Sequence, residues 1–445
     1  MDPLLFIALL AGIAVVIGVI LWTRLDAFPA LLLGAVTTGL IAGVAPLDLV
    51  GMITTGFGNT LASIGIVIGL GVALGKILEV SGAADAIARW FIKSFGENRE
   101  ANAMAATGAI VSVPVFCDTG YVMLHPLARS LASRTGKSLV MLSIALGGGL
   151  VLAHTLVPPT PGPLAVAGLL GVDLGQMLLI GGAYIILLLP VLLIWARYMG
   201  PKLEPHRDDS MFHVDEMKNQ ERPEIGVLRA TIPLIVPIGL IIFNTVSTAV
   251  APDSEVRGIA SFLGAPPVAL LIGLIIAVYL LPQRDTPRKT VIGWLGEAAA
   301  TGGFIIFITG AGGAFANVLN QSGVGQNLAA GVGQLPLPLF LVPFIIASVV
   351  RVAQGSGTVA MITAATLAVP LVEAGQLNAV LAALAASSGA FLFSHVNDSF
   401  FWVTTKFAGV SGIHAIKMWS GTTTVIWVAT IPLLFATWLI MGAVG

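Results

Sequence analysis

The sequence has few charged residues and a single cysteine. Only 10% of its 445 residues are Asp, Glu, Lys or Arg, whereas a soluble domain carries about 25%. The formal net charge of −1 shows none of the basic excess that nucleic-acid-binding proteins have, so we expect no nucleic-acid partner. Because Cys117 is the only cysteine, no disulfide can form within the chain.

Two motifs of nucleotide and ester hydrolysis are also missing. No GxxxxGK[ST] loop is present, which argues against an ATP-driven pump. The segment "GSGT" at 355–358 does not have the GxSxG spacing of a nucleophile elbow. An intramembrane hydrolase that uses Ser356 or a His/Asp pair therefore remains only as an alternative. We expect no catalytic residue, no metal site and no cofactor other than a coupling proton.

Long apolar runs are what the sequence has in abundance. Hydrophobic residues make up 57% of the chain and the mean hydropathy is +0.98. Several runs reach the roughly 20 residues that a helix needs to cross a bilayer. The first run lacks the basic n-region of a signal peptide, so we expect a retained helix. The sequence predicts an all-α, multi-pass membrane protein with ten spans, near 4–22, 28–44, 55–79, 138–170, 176–197, 229–250, 258–281, 294–320, 377–407 and 418–442.

Two further apolar segments predict re-entrant hairpins. Residues 101–135 and 340–373 are each about 35 residues long and have a small, polar centre, "CDTG" and "QGSGT". Such a segment suits two half-helices that meet at a tip, with the open backbone buried in protein or lining a wet cavity.

The positions of the basic residues support this reading. Basic residues lie on both sides of the first hairpin, at Arg89, Lys93, Arg99, Arg129, Arg134 and Lys137. Basic flanks mark the cytoplasmic side, so both ends of this hairpin are expected there. No charged residue occurs at 298–350, and we therefore expect the second hairpin to enter from outside, with both termini of the chain outside.

A polar linker at 201–228 divides the chain near its middle and is expected in the cytoplasm. An offset of 241 residues pairs His154 with His395 and Gly148 with Gly389. The halves 1–200 and 229–445 would each contain five spans, and an odd number gives them opposite orientations. Inverted repeats of this kind are typical of transporters, whose site lies at the repeat interface.

Four small, polar breaks are the candidate site. Two are the hairpin tips, 116–120 and 354–358, and two interrupt the predicted spans 138–170 and 377–407 at 153–163 and 394–399. Half-helix N-termini expose N–H groups that attract carboxylates. The residues in these breaks that we expect to bind the substrate are Thr119, Gly120, His154, Thr155, Gln354, Ser356, Gly357, Thr358, Ser394, His395 and Asn397.

Charged and titratable residues in these breaks are candidates for proton coupling. Asp118 is the only charged residue at 101–128, and ionisable groups at membrane depth often relay protons. Asp118 is alternatively a helix cap, and Asp398 is a second candidate. His154 and His395 either bind a substrate hydroxyl, sense protons or are core histidines bonded to a carbonyl.

Arg351 has two equally weighted interpretations. Its guanidinium fork suits a substrate carboxylate, but it can also neutralise Asp118 or Asp398. Asp398 and Lys406 lie eight residues apart and can alternatively pair with each other.

Four segments closely resemble the gluconate permease (GntP) family of bacterial proton symporters. They are "VPVFCDTGYVMLHPLA", "HTLVPPTPGPLA", "RVAQGSGTVAMITAAT" and "FSHVNDSFFWVTTKF", and the likeness covers nearly the whole chain. The resemblance implies uptake of gluconate, a related sugar acid, glycerate or D-serine with protons across the inner membrane. The wider ion-transporter superfamily further implies inverted repeats, two hairpins, two broken helices and a homodimer that works by an elevator motion.

Overall fold

The structure is a computed structural model, and it describes residues 2–22, 27–84, 86–87, 90, 99–113, 116–208, 225–250, 255–325, 327, 338–395 and 398–444. All regular secondary structure in these ranges is helical. Residues 209–224, most of the predicted linker, lie outside the described residues, while the linker's first residues complete a helix that ends at Leu203.

The first half of the chain contributes nine helices to the described part. They are α1 (Pro3–Trp22), α2 (Ala27–Ile41), α3 (Pro46–Thr60), α4 (Ile66–Val80), α5 (Glu100–Val111), α6 (Cys117–Thr135), α7 (Leu139–Leu156), α8 (Pro161–Leu170) and α9 (Leu174–Leu203). A π-helical turn, Leu61–Gly65, joins α3 to α4. The helix predicted over 55–79 therefore begins earlier, at Pro46.

Ten helices follow in the described part of the second half. They are α10 (Val227–Val250), α11 (Glu255–Leu263), α12 (Pro266–Leu280), α13 (Arg288–Gln321), α14 (Leu341–Gln354), α15 (Gly357–Glu373), α16 (Ala379–Gly389), α17 (Ser399–Phe407), α18 (Gly412–Ala415) and α19 (Gly421–Val444). A π-helical segment, Ile416–Ser420, joins α18 to α19.

The helix predicted over 258–281 is bent in the structure. The stretch Arg257–Leu263 and the helix Pro266–Leu280 are bent by 60°. Pro266 and Pro267 open α12, and a proline has no N–H with which to continue the preceding helix. Within the described residues, five helical stretches are long and apolar enough to cross a membrane, or six if the bent pair is one span. The count of ten stays a prediction.

Both predicted helix breaks coincide with helix ends. α7 ends at Leu156, and α8 begins at Pro161, where proline suits the first helical position. In the second half, α16 ends at Gly389. Helix α17 begins at Ser399, and its N-cap Asp398 accepts from the Phe400 N–H. The helix ends before the two breaks are 233 residues apart and the helix starts after them are 238 apart, close to the 241-residue offset but not equal to it.

Glycines allow the helices around these breaks to pack closely. A Cβ on Gly149 of α7 would lie 2.1 Å from the Ala105 carbonyl oxygen of α5. A Cβ on Gly389 of α16 would lie 2.2 Å from the Phe344 carbonyl oxygen of α14. Each hairpin thus begins with a helix that packs directly on the half-helix of the following break.

The second helix of each hairpin packs on the opposite half of the chain. α6 contacts α17, and α15 contacts α8. Outside this region, the long helix α13 packs against α2, α3 and α4. The two hairpin turns and the two breaks are thereby brought to one place.

Candidate functional site

A cavity of about 360 Å³ lies where the start of α6, the turn between α14 and α15, and both breaks approach one another. From the first half it is lined by 116–118, at the start of α6, and by Val151, His154 and Thr155 near the end of α7. From the second half it is lined by Arg351, 355–358, Ala390 and 398–400. The predicted breaks therefore surround a single space.

His154 offers an unused polar atom on the first-half wall. Its Nδ1 is buried and has no hydrogen-bond partner among the described residues. The ring lies 5.8 Å from the Phe116 ring. Thr155, which lines the same wall, is 3% exposed. A substrate hydroxyl can satisfy such a nitrogen. The structure shows no carbonyl bonded to His154 Nδ1 within the described residues.

Two residues predicted at the first tip have different positions. Gly120 lies against α7, where an added Cβ would be 2.8 Å from Leu150 Cδ2, and it does not line the cavity. Its small size serves packing. Thr119 lies in the first turn of α6, and its side chain is outside the described residues.

The second tip is a tight reversal between α14 and α15. Gly355 has φ +86°, a left-handed conformation that favours glycine. Ser356 caps α15, accepting from the Val359 N–H at 3.3 Å. Gly357 and Thr358 form the start of α15 and line the cavity. The backbone of Gln354 ends α14, but its side chain lies outside the described residues.

A buried ion pair joins the second tip to the second break. Arg351 Nη2 lies 2.6 Å from Asp398 Oδ2, and the two residues are 5% and 8% exposed. Arg351 Nη1 also donates to the Gly355 carbonyl. Of the partners considered for Asp398, the structure thus shows Arg351. Lys406 instead lies over the Trp402 ring, 5.6 Å from its centre.

Ser394 anchors this ion pair and does not line the cavity. Its hydroxyl donates to Asp398 Oδ2 and accepts from Trp419 Nε1 at 2.9 Å. Its backbone N–H donates to Thr423 Oγ1 at 3.1 Å. His395 does not line the cavity either. Its Nε2 lies 2.9 Å from the Val352 carbonyl oxygen, which matches the carbonyl-bonded alternative.

The predicted residue Asn397 lies outside the described residues.

Asp118 lies in the cavity wall and contacts the opposite half of the chain. Its Oδ1 accepts from Ser399 Oγ at 3.3 Å. Asp118 is in the first turn of α6 and Ser399 begins α17. Two carboxylates and one guanidinium thus share the cavity, with Asp398 paired to Arg351 and Asp118 bonded to a hydroxyl.

Three helices begin at the cavity wall. They are α6 at Cys117, α15 at Gly357 and α17 at Ser399. Each helix N-terminus carries about half a positive elementary charge. Side-chain caps on α15 and α17 use some of the free N–H groups, but the dipoles remain. The cavity is therefore suited to a small anion.

Sequence reasoning missed Ser399, Trp419 and Thr423, which complete the polar network. Ser399 is the last residue of the predicted break 394–399 but was not named among the binding residues, and its place beside a capping residue was the available signal. Trp419 is fully buried, but it lies 25 residues from Ser394, and no local pattern marked it.

Comparison with known proteins identifies the family. The profile described as "GntP family permease" matches residues 4–440. The chain belongs to the GntP permease family. It is therefore a multi-pass membrane permease and not an enzyme, and the hydrolase alternative is excluded.

Bacterial relatives cover nearly the whole chain. An "Uncharacterized permease" of Haemophilus influenzae is 41% identical, over 96% of this chain and 90% of the relative. A "Gluconate permease" of Pseudomonas aeruginosa is 33% identical, over 94% of each chain. The family resemblance seen in the four sequence segments is thereby confirmed.

A solved structure supports the fold of this permease. The crystal structure of the YdaH transporter of Alcanivorax borkumensis aligns with a TM-score of 0.69, over 89% of this chain and 90% of that one. The sequences are 16% identical, so the likeness concerns the fold alone.

Proposed function

We propose that this permease is a secondary active transporter that takes up gluconate, or a related small hydroxy-monocarboxylate, together with protons across the bacterial inner membrane. One observation carries the proposal: three helix N-termini and Arg351 converge on a single cavity lined by both halves of the chain. The relative named "Gluconate permease" at 33% identity supports the substrate class.

The chemistry of the cavity fits a hydroxylated acid. Helix N-termini and a guanidinium attract a carboxylate. His154, Thr155 and Thr358 offer nitrogen and hydroxyl groups for substrate hydroxyls. A volume of about 360 Å³ lies at the small end of the roughly 300–1,000 Å³ of small-molecule sites. Within the same family resemblance, D-serine and glycerate are the alternative substrates.

Two carboxylates can carry the coupling proton in this proposal, Asp118 and Asp398. Both line the cavity, where protonation removes a negative charge as an anionic substrate approaches. The proton is then the only coupling ion and no cofactor takes part.

The proposed transport cycle uses two inverted repeats. The matching contacts of α6 with α17 and of α15 with α8, and the matching close approaches at Gly149 and Gly389, support such a repeat. α5 has 12 residues and α14 has 14, or about 18 and 21 Å at the α-helical rise. Each is too short for the roughly 30 Å hydrocarbon core, which supports re-entrant hairpins. A homodimer with an elevator motion is the further expectation from the family resemblance.

Uptake by proteoliposomes tests the function. Labelled gluconate should accumulate when the outside is acidic, and should only equilibrate when the proton gradient is collapsed by an ionophore. Unlabelled gluconate, glycerate, D-serine and lactate are then added as competitors, and the strongest inhibitor identifies the preferred acid. Accumulation that is unaffected by the ionophore contradicts proton coupling, and no competition by any hydroxy acid contradicts the substrate class.

A further inference from the structure

The guanidinium of Arg351 is only partly satisfied. Nη2 pairs with Asp398 at 2.6 Å, and Nη1 donates to the Gly355 carbonyl. Nε is buried and has no hydrogen-bond partner among the described residues. A guanidinium binds a carboxylate best through two parallel N–H groups, and Nε with Nη2 forms one such edge. Asp398 therefore occupies half of an edge that can hold a whole carboxylate.

Asp398 has other hydrogen-bond partners besides Arg351. Oδ1 accepts from the Phe400 N–H at 3.1 Å, and Oδ2 accepts from the Ser394 hydroxyl. The Ser394 oxygen already accepts from Trp419 Nε1 and has a second lone pair. A protonated Asp398 can donate to that lone pair. The Asp398 carboxyl group therefore has hydrogen-bond partners in both its charged and its neutral form when the ion pair with Arg351 is broken.

We propose that Asp398 occupies the position on Arg351 that the substrate carboxylate takes during transport, and that Asp398 leaves this position when it binds the co-transported proton. The inference rests on the proposed function and assigns its proton to one of the two carboxylates. One proton from solution bonds to a carboxylate oxygen of Asp398, and its ion pair with Arg351 is broken. The substrate carboxylate then accepts from Nε and Nη2, so the net charge of the site is unchanged. Release of the proton and the substrate on the other side of the membrane restores the ion pair between Asp398 and Arg351.

This exchange makes the two ligands depend on each other. An arriving carboxylate competes with Asp398 for Arg351, and a like charge nearby favours the neutral form of a carboxyl group. Conversely, a protonated Asp398 leaves the guanidinium edge free. By linkage, each ligand must increase the affinity for the other by the same factor. Binding of substrate without a proton, or of a proton without substrate, is therefore disfavoured.

The other titratable groups near Asp398 do not share this arrangement. Within the part of the chain that the structure describes, Asp118 and Cys117 on α6 and His154 on α7 also interact electrostatically with Asp398. Asp118 is bonded to Ser399, and so a carboxylate that binds Arg351 does not displace it. Asp173 provides the matched control for Asp398, because it caps α9 by accepting from the Gln176 N–H at 2.9 Å and does not line the cavity.

Proton uptake on binding tests the inference directly. Gluconate is added to the purified, full-length protein in weakly buffered detergent solution with a pH-indicator dye. The wild-type protein should take up about one proton per gluconate, and its affinity should fall by up to about tenfold per unit of rising pH. Asp398→Asn, which still caps α17, should bind gluconate with no proton uptake and no pH dependence. Asp173→Asn, which likewise still caps its helix, should behave as the wild-type protein does.

Transport gives the second readout. In proteoliposomes, Asp398→Asn should exchange labelled for unlabelled gluconate but lose accumulation under a proton gradient. Asp398→Ser, with another good capping residue, serves the same purpose if the Asn variant is unstable. Arg351→Lys replaces the fork by a point charge and should weaken gluconate binding by about tenfold or more.

The outcomes separate two failures. If wild-type proteoliposomes do not accumulate gluconate under a proton gradient, the proposed function fails. If they do, and a folded Asp398→Asn or Asp398→Ser variant accumulates it as well, only this inference is overturned. Loss of proton uptake in Asp118→Asn with normal gluconate binding also overturns it, because the proton then belongs to Asp118.

Discussion

Ser399 Oγ donates to Asp118 Oδ1 at 3.3 Å, although the two residues are 281 positions apart. Asp118 lies at the start of α6 in the first half, and Ser399 begins α17 in the second. The contact joins a hairpin of one half to a broken helix of the other. The cavity wall is therefore a shared structure, and neither half of the chain forms it alone.

This contact predicts a measurable coupling between the halves. Ser399→Ala and Asp118→Ala each remove one partner, and the double variant completes a cycle. A hydrogen bond to a charged group is worth about 1.5–3 kcal/mol, but this one is long and lies at the cavity wall. We therefore expect a coupling free energy of roughly 0.5–1.5 kcal/mol in unfolding in detergent. If the two single substitutions change the free energy of unfolding by amounts that add up to the effect of the double variant, the contact contributes nothing to stability.

The second prediction concerns the sides of the membrane. Cysteines introduced one at a time at Arg99 and Arg134 should both react with an impermeant thiol reagent only from the cytoplasm. α5 has 12 residues, or about 18 Å, and in the proposed hairpin the segment returns to the side from which it enters. The unmodified chain is the control, since its only cysteine, Cys117, is buried. Labelling of the two positions from opposite sides refutes the hairpin.

Much of the helix layout was predictable because its signals are local. The break at 153–163 contains four prolines, and the helix ends at Leu156 as expected. The bend before Pro266 had the same kind of signal, and was missed because the apolar run continues through it. Local backbone chemistry thus marks where helices end, and hydropathy alone does not.

The polar partners in the site could not be assigned from the sequence. Asp118 was a candidate because it is isolated among apolar residues. Arg351 could have paired with a substrate carboxylate, with Asp118 or with Asp398. Arg351 and Asp398 are 47 residues apart, and only the packing of α14 and α17 around one cavity selects this pair. Asp118 remains a candidate for the proton, and the ion pair is the reason that Asp398 is favoured here.

The third prediction concerns the second hairpin tip. A Cβ at Gly357 would have no neighbour closer than 3.9 Å, at the Ala390 carbonyl oxygen and at Arg351 Nη1, so the fold has room for it. Because Gly357 lines the cavity, we expect Gly357→Val to keep normal stability and lose most gluconate uptake. Gly293→Val, at an α13 position with no atom within 4 Å, is the control for bulk. Full uptake with normal affinity in Gly357→Val would remove this tip from the site.

The last prediction concerns the packing that supports the cavity. A Cβ at Gly149 would lie 2.1 Å from the Ala105 carbonyl oxygen, and a backbone atom cannot move aside as a flexible side chain can. Gly149→Ala should therefore separate α5 from α7 and destabilise the protein by about 1–3 kcal/mol, as overpacked cores do. Gly182→Ala in α9, where an added Cβ would have no atom within 4 Å, should instead raise the free energy of unfolding by about 0.5–1 kcal/mol, because alanine has the higher helix propensity. Unfolding of both variants in detergent gives the comparison. Equal stability of the two would mean that α5 and α7 do not approach as closely as described, and the position of the first hairpin tip in the cavity would then lose its support.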